Sequence, residues 1–343
     1  MNNRFSGIDL VKTVAIIGVI IIHVTGPKFY LYDVGSSSWL FILIFASLMR
    51  ASVPLFLMCS GALLLNPEKE MPLKKLYLKN ILRIVVAMLF WGMIYKISHL
   101  LEAGNVSVGS LWHAFKEILL FNQEYHFYYM HMIILVYIFL PITRLIVKYA
   151  TKQILEYILA VWFVLGIVYN TLWPFMPVES IGGMVSQWQI NLTYCSVGYG
   201  ILGYYLKTYP QKNSINIISA LLGFCIIFFG TYIMSLKTGI LNETFLTGTT
   251  IGCALLAFGI YGLCLNNANK LSRFNKITES ISKASFCIYI IHVLFLNTAM
   301  YHGWAGLFVS FHSVLAYVVL IFTLSYITYL ILSKIPIVNK WLI

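Results

Sequence analysis

The chain has 343 residues, of which 60% are hydrophobic and only 10% are charged, and its mean hydropathy is +0.85. An average soluble domain has roughly 25% charged residues, so a soluble fold could not cover this much apolar surface. The formal net charge of +12 does not indicate nucleic-acid binding, because basic residues beside apolar helices set membrane topology and contact anionic lipid. The composition therefore predicts an integral membrane protein and no nucleic-acid partner.

Long continuous apolar runs predict that the spans are helices. A transmembrane helix needs about 20 apolar residues, whereas a strand of a membrane barrel alternates over about 10. A shorter segment at 110–121 is predicted to be an interfacial or packed helix. The predicted fold is an all-α membrane bundle, a single domain over residues 1–343. Its ten predicted transmembrane helices run at roughly 9–25, 43–65, 79–99, 127–148, 153–170, 188–207, 214–235, 246–266, 282–300 and 307–332.

Lys and Arg residues are unequally distributed between the two sets of loops. Positively charged loops stay in the cytoplasm, and this rule is satisfied by an even number of spans with both termini cytoplasmic. Most of the 23 basic residues then lie inside, and the exceptions are Lys28, Arg50, Lys96, Lys116 and Lys237. The six cysteines show no CxxC spacing, so we expect no metal site.

The first span carries three ionisable residues, Asp9, Lys12 and His23. Such groups at membrane depth usually face a polar cavity or one another. At about 100° per residue, Lys12 and His23 lie within roughly 20° of one helix face and about 16 Å apart along the axis. Asp9 lies near the same face, where it could pair with Lys12. The alternative is that Asp9 and Lys12 mark the membrane interface while His23 caps the outer end.

Two further spans carry polar residues. Ser285, Tyr289 and His292 follow i, i+4, i+7 spacing in the ninth span, so they project from one helix face and favour a polar cavity. Glu124 and His126 stand at the outer mouth of the fourth span. There they are either part of the same site or exposed loop groups.

Four segments in chain order resemble motifs of the acyltransferase 3 family of bacterial membrane O-acyltransferases. Asp9 through Lys12, with His23 eleven positions on, resembles the family's opening Asp-x-x-Arg and Arg-x10-His pattern, with Lys12 where Arg is usual. The resemblance covers residues 8 to about 300 and agrees with ten helices. Within the family, this short form without a soluble esterase-like domain resembles the enterobacterial-common-antigen O-acetyltransferase type. The other three segments are Val53–Phe56 with Ser60 and Gly61, His126 through Pro141, and Ser285 through His292.

The resemblance implies acyl transfer from a cytoplasmic acyl-coenzyme A, acetyl-coenzyme A above all, to a hydroxyl group. A base must take the hydroxyl proton, and histidine is suited because its unperturbed pKa lies near 6.5. We assign this role to His23, which acts either directly or through a brief acyl-imidazole. Asp9 belongs to the same catalytic motif but lies too far along the helix to orient His23. The candidates for that orienting role are Glu124, His126, Tyr289 and His292.

The phosphates of the donor are expected against basic residues at the start of the third span. The family usually has an Arg-x-x-Arg pair there, and in this chain only Arg83 matches cleanly, with Lys79 as a substitute for the other. Lysine lacks the planar fork with which arginine grips a phosphate in two places. The residues assigned to donor binding are Lys12, Lys74, Lys75, Lys79, Arg83 and Ser285.

The resemblance places the protein in the bacterial inner membrane as a multi-pass enzyme. Its expected partners are membrane lipid, acyl-coenzyme A and a hydroxyl of a cell-envelope glycan or a lipid-linked glycan precursor, with a homo-oligomer as an open alternative. An alternative function is a transporter that passes a small metabolite or a glycan through the same polar cavity. Acyl turnover distinguishes the enzyme from the transporter.

Overall fold

The computed structural model describes residues 6–175, 190, 192–308 and 311–343, without the side chains at 192, 193, 311 and 312. In this part of the chain the secondary structure is helical, and none of the described residues forms a β-strand. Besides short turns, the helices are α1 Ser6–Thr25, α2 Ser37–Met49, α3 Ser52–Leu64, α4 Leu82–Glu102, α5 Val108–Leu119, α6 Tyr128–Tyr149, α7 Lys152–Trp162, α8 Leu192–Thr208, α9 Asn213–Thr238, α10 Ile251–Asn267, α11 Asn275–Tyr301, α12 Phe311–Leu332 and α13 Pro336–Trp341.

Eight stretches of the described residues are long and apolar enough to cross a membrane. The longest, Thr244–Tyr301, contains both α10 and α11, which match two separate predicted spans. The predicted span 188–207 overlaps the 17-residue helix α8, while residues 188 and 189 lie outside the described part of the chain. Every predicted span thus overlaps a helix, and the predicted all-α integral membrane fold is confirmed.

The second span was predicted as one helix at 43–65. The structure has two helices there, α2 and α3. Ser36 accepts a hydrogen bond from the Trp39 amide at 3.3 Å and so starts α2 six residues before 43. Pro54 lies in the first turn of α3 and has no N–H for a preceding carbonyl, so a continuous helix would lose a hydrogen bond there. The Arg50 carbonyl, four residues before Pro54, accepts from the Cys253 thiol at 3.5 Å, and the Ser52 hydroxyl donates to the Met49 carbonyl at 2.6 Å across the break.

The helical segment at the third predicted span, 79–99, begins earlier in the structure than predicted. A short helical turn, Leu73–Lys75, and a π-helical turn, Leu76–Ile81, lead directly into α4. Such π turns insert an extra residue into a helix and are frequent at functional sites. This one lies within the stretch to which donor binding was assigned.

The residues fall into two compact units, 1–70 with 138–282 and 71–137 with 283–343. In the first unit, glycines allow close helix contacts of the kind that membrane helices use when lipid gives no hydrophobic driving force. A β-carbon at Gly61 of α3 would lie 1.8 Å from the Gly200 carbonyl oxygen of α8, and one at Gly223 of α9 would lie 2.4 Å from the Leu256 amide of α10. These contacts leave no room for a side chain.

In the second unit, α5 packs on α4 through the buried side chains of Ala114 and Ile118. A β-carbon on Gly92 of α4 would lie 2.9 Å from a methyl of Ile118, so the two helices are in close contact. Trp112 and other apolar residues on the opposite face of α5 are exposed. The short helix at 110–121, predicted to be interfacial or packed, is therefore present as α5, Val108–Leu119, and it packs on α4.

Candidate active site

The first unit contains the polar stripe of α1. Asp9 is only 6% exposed, whereas Lys12 and His23 are partly buried. The charges of both Asp9 and Lys12 act on the Cys59 thiol, so this end of the stripe lies near α3. Asp9 is thus packed inside the protein, which argues against the alternative that it reaches out to the membrane interface.

Threonine ties this end of α1 to α11. The Thr13 hydroxyl lies 2.9 Å from the Asp9 carbonyl and 3.2 Å from the Thr278 carbonyl, and it can donate to either. Because Thr13 follows Lys12 directly, this contact helps to fix the rotation of α1. That rotation sets where the Lys12 and His23 side chains point.

The second unit brings together polar side chains of the fourth and ninth predicted spans. The His126 ring centroid lies 5.5 Å from that of His292 and 5.8 Å from that of Tyr289. The Tyr289 hydroxyl donates to the His126 carbonyl. His126 is fully buried, so the alternative that it is an exposed loop group is wrong.

Backbone carbonyls of α11 determine which ring nitrogens of the two histidines carry protons. His126 Nε2 lies 3.3 Å from the Ile290 carbonyl oxygen, and His292 Nδ1 lies 2.8 Å from the Tyr289 carbonyl oxygen. Since a carbonyl only accepts, each of these nitrogens is the donor. In the neutral rings, His126 Nδ1 and His292 Nε2 then hold the lone pairs that could accept a proton.

Tyr95 of α4 belongs to the same cluster, although sequence reasoning missed it. Its hydroxyl donates to the Ile290 carbonyl at 2.7 Å, and its ring centroid lies 5.4 Å from that of His126. The side chain is fully buried. No sequence signal marks it, because a single tyrosine in an apolar helix is ordinary. Ser285, the other predicted residue of α11, is buried one turn before Tyr289.

Glu124 lies in a second polar cluster at the end of α4. Its carboxylate is 2.7 Å from His99 Nε2, and Glu102 lies 3.6 Å from the other nitrogen of that ring. Nearby, Lys96 donates to Glu117 at 2.5 Å, and this hydrogen bond lowers the pKa of Glu117 below its usual value. Glu124 thus holds His99, and the connection between α5 and α6, in place.

The residues assigned to donor phosphates differ in exposure. Lys74, Lys75 and Lys79 are exposed, as expected for a basic surface that can meet a ligand. Arg83 is partly buried, donates to a main-chain oxygen of Ile343 and lies 5.9 Å from the centroid of the Phe286 ring. The described part of the chain therefore gives Arg83 a backbone partner that the sequence did not predict.

Two other basic side chains bind the end of α3. Arg144 donates to the Leu64 and Lys69 carbonyls, and Lys207 donates to the Ala62 carbonyl at 3.0 Å. The last carbonyls of a helix lack intrahelical partners and carry partial negative charge, so cations stabilise them. Arg144 and Lys207 thus have a structural role besides the topological one predicted for them.

A comparison with protein families matches residues 5–330 to an acyltransferase domain. The chain belongs to the acyltransferase 3 family. No curated protein and no solved structure matches it in the corresponding searches. Together with its eight candidate spans, the family identifies a multi-pass membrane acyltransferase. The likeness of this acyltransferase to the enterobacterial-common-antigen type stays a prediction.

Proposed function

We propose that the protein is an inner-membrane O-acetyltransferase that uses acetyl-coenzyme A. The acceptor is a hydroxyl group of a cell-envelope glycan or of its lipid-linked precursor. The coarser activity, acyl transfer in a membrane, follows from the family. The donor, the acceptor and the roles of individual residues are the additional content of the proposal.

The observation that carries the proposal is the stripe on α1, where His23 and Lys12 are partly buried and Asp9 is almost fully buried. In the proposed reaction, His23 takes the proton of the acceptor hydroxyl, and the hydroxyl oxygen attacks the thioester carbonyl carbon. The carbon–sulfur bond breaks, and the coenzyme A thiolate leaves and takes up a proton. A base positioned in this way typically contributes a factor of about 10² to 10⁴ to the rate.

Donor binding is assigned to the exposed lysines Lys74, Lys75 and Lys79 together with Arg83. The lysines offer point charges at the surface, whereas the planar guanidinium can hold a phosphate with two parallel hydrogen bonds. Charge at an exposed site attracts an anionic donor and is weakened by salt. The orienting role of Glu124, His126, Tyr289 and His292, and donor contacts of Ser285, stay predictions.

The test is acetyl-coenzyme A turnover by the purified, detergent-solubilised protein, followed as release of free coenzyme A thiol. We expect turnover by the wild type and a loss of at least about 100-fold in His23→Ala. His113→Ala is the matched control, because His113 is exposed on α5 and we expect it to keep full turnover. A thermal unfolding midpoint close to that of the wild type would show that His23→Ala remains folded.

Full turnover in a folded His23→Ala variant would contradict the role of His23. Uptake of a small metabolite into proteoliposomes without any acyl turnover would favour the transporter instead. Turnover with a longer acyl-coenzyme A but not with the acetyl form would correct the donor and leave the reaction class standing.

A further inference from the structure

The break between α2 and α3 places an arginine inside a membrane-spanning stretch. Arg50 lies about halfway along Ser37–Leu64, which has 28 residues and is apolar enough to cross a bilayer. A charged side chain at membrane depth is costly and usually faces a partner or a polar cavity. Arg50 is also one of the basic residues that the predicted orientation leaves on the outer side, so the positive-inside rule does not explain it.

The guanidinium group of Arg50 is fixed at one nitrogen and open at the other two. Its Nε donates to the Leu246 carbonyl, in the connection between α9 and α10. The two Nη nitrogens have no hydrogen-bond partner among the described residues, and they are accessible because the side chain is only partly buried. No carboxylate in the described part of the chain forms an ion pair with Arg50. The planar group is therefore held in place with two donors free for a ligand.

Capping of α2 does not account for these two free nitrogens. The last carbonyls of a helix attract cations, but here other groups donate to two of them. The Ser47 carbonyl accepts from the Arg50 amide at 3.4 Å. The Met49 carbonyl accepts from the Ser52 hydroxyl at 2.6 Å. The start of α3 follows Ala51, whose side chain cannot cap it, and its partial positive charge adds to that of the guanidinium. The break thus favours an anion.

The break lies beside the half of α1 that contains His23. A β-carbon on Gly18 would lie 2.2 Å from the Ser52 hydroxyl oxygen, so Arg50 is close to the level of Gly18. Along the axis of α1, His23 lies about 7.5 Å beyond Gly18, and Lys12 lies about 9 Å in the opposite direction. Since the donor is assigned to the Lys12 end, an anion at Arg50 belongs to the acceptor.

We propose that Arg50 binds the phosphate of a lipid-linked acceptor. The inference rests on the proposed function and narrows the acceptor to one that carries a phosphate beside its lipid chain. A guanidinium group holds phosphate with two parallel, charge-assisted hydrogen bonds, and the two Nη nitrogens of Arg50 are the donors for them.

The surroundings of Arg50 suit a ligand with a polar head and an apolar chain. A β-carbon on Gly248, two residues after Leu246, would meet nothing within 4 Å, so there is open space beside the connection that anchors Arg50. Ile44 and Leu48 of α2 are exposed, and in a membrane such side chains contact acyl chains. A lipid-linked phosphate satisfies both surfaces, whereas a water-soluble sugar acid would satisfy only the first.

The experiment measures chemical protection of Arg50 in the purified wild-type protein. Phenylglyoxal modifies accessible guanidinium groups, and peptide mass spectrometry follows each arginine separately. We expect Arg50 to be modified in the free protein. Farnesyl diphosphate at about ten times its Kd should slow this modification about ten-fold, because only the free protein reacts. Arg273 is the control within the same chain, since it is exposed and its modification should not change.

A titration of farnesyl diphosphate by calorimetry gives the Kd for variants. Arg50→Ala loses the charge-assisted hydrogen bonds, and we expect its Kd to rise at least about ten-fold. Arg273→Ala is the matched control, and its Kd should stay within about two-fold of the wild type. A Tm close to that of the wild type would show that Arg50→Ala remains folded, and the protection experiment needs no variant.

Unchanged modification of Arg50 in the presence of farnesyl diphosphate, or an unchanged Kd in folded Arg50→Ala, would overturn the proposal. Equal protection by phosphatidylglycerol would assign the site to ordinary membrane lipid and also overturn it, as would protection by glucuronate but not by farnesyl diphosphate. These measurements use no acetyl-coenzyme A. Protection of Arg50 in a protein that does not turn over acetyl-coenzyme A would therefore refute the proposed function and leave the lipid-phosphate site standing.

Discussion

A single methyl group added at Gly61 should separate α3 from α8. The new β-carbon would lie 1.8 Å from the carbonyl oxygen and 2.4 Å from the carbonyl carbon of Gly200. Both are backbone atoms, so no side-chain rotation can relieve the clash. The helices share a second close contact, where a β-carbon on Gly203 would lie 2.1 Å from the Met58 carbonyl oxygen. We therefore expect Gly61→Ala to disturb the whole crossing.

The size of the effect follows from these distances. Ordinary contact of a β-carbon begins near 3.4 Å, so the backbones must move apart by about 1.6 Å. Overpacking a well-packed site typically costs 1 to 3 kcal/mol, and separation also weakens the van der Waals packing between the two helices. We expect a loss of about 3 kcal/mol, which at about 2 to 4 °C per kcal/mol lowers the Tm by roughly 6 to 12 °C.

Buried cysteines provide the assay. Cys59 of α3 and Cys195 of α8 are fully buried, so a thiol-reactive dye reports when they become exposed on heating, in a protein whose exposed Cys225 is replaced by serine. Gly248→Ala is the control in the same unit, because nothing lies within 4 Å of its added β-carbon. Equal Tm values for Gly61→Ala and Gly248→Ala would refute the reasoning.

Two further predictions concern ion contacts. Arg144→Ala should lower stability by about 1.5 to 3 kcal/mol, because the Leu64 carbonyl loses a charged donor. Arg273→Ala removes a cation whose described contact is with the Phe274 ring, and we expect it to leave the Tm unchanged. Equal Tm values for Arg144→Ala and Arg273→Ala would contradict the capping role. For the second, Lys96 lowers the folded-state pKa of Glu117. The pair therefore stabilises the fold above about pH 4.3 and loses this effect as the pH falls through that lower pKa. As the pH falls through this range, the wild type should lose up to about 1 kcal/mol of stability, measured from its Tm, that Glu117→Gln does not lose. Parallel curves of Tm against pH for the two proteins would contradict this prediction.

Hydropathy predicted the helices because a bilayer requires each span to satisfy its own backbone hydrogen bonds. It did not predict the break between α2 and α3, since Arg50, Ser52 and Pro54 lie within a run that is apolar on average. The break depends on tertiary partners as well. Arg50, for example, donates to the Leu246 carbonyl, which is almost two hundred positions away in sequence.

Periodicity predicted which residues share a helix face but not which partners they meet. The spacing of Tyr289 and His292 indicated a common polar face, and the structure adds His126 to it. The spacing carried no information about Tyr95 or about the Ile290 carbonyl that Tyr95 and His126 share. Such contacts are set by helix packing, which a single helical sequence does not encode.

Basic residues with the same predicted topological role differ in what satisfies their charge. Arg144 and Lys207 end on carbonyls of α3 and so stabilise a helix end, whereas Lys74 and Lys75 are exposed. Arg83 is partly buried and donates to a main-chain oxygen of Ile343, in a short and largely exposed segment. The contacts that each basic side chain makes, more than its charge, therefore separate the structural cations from those that an anionic ligand can reach.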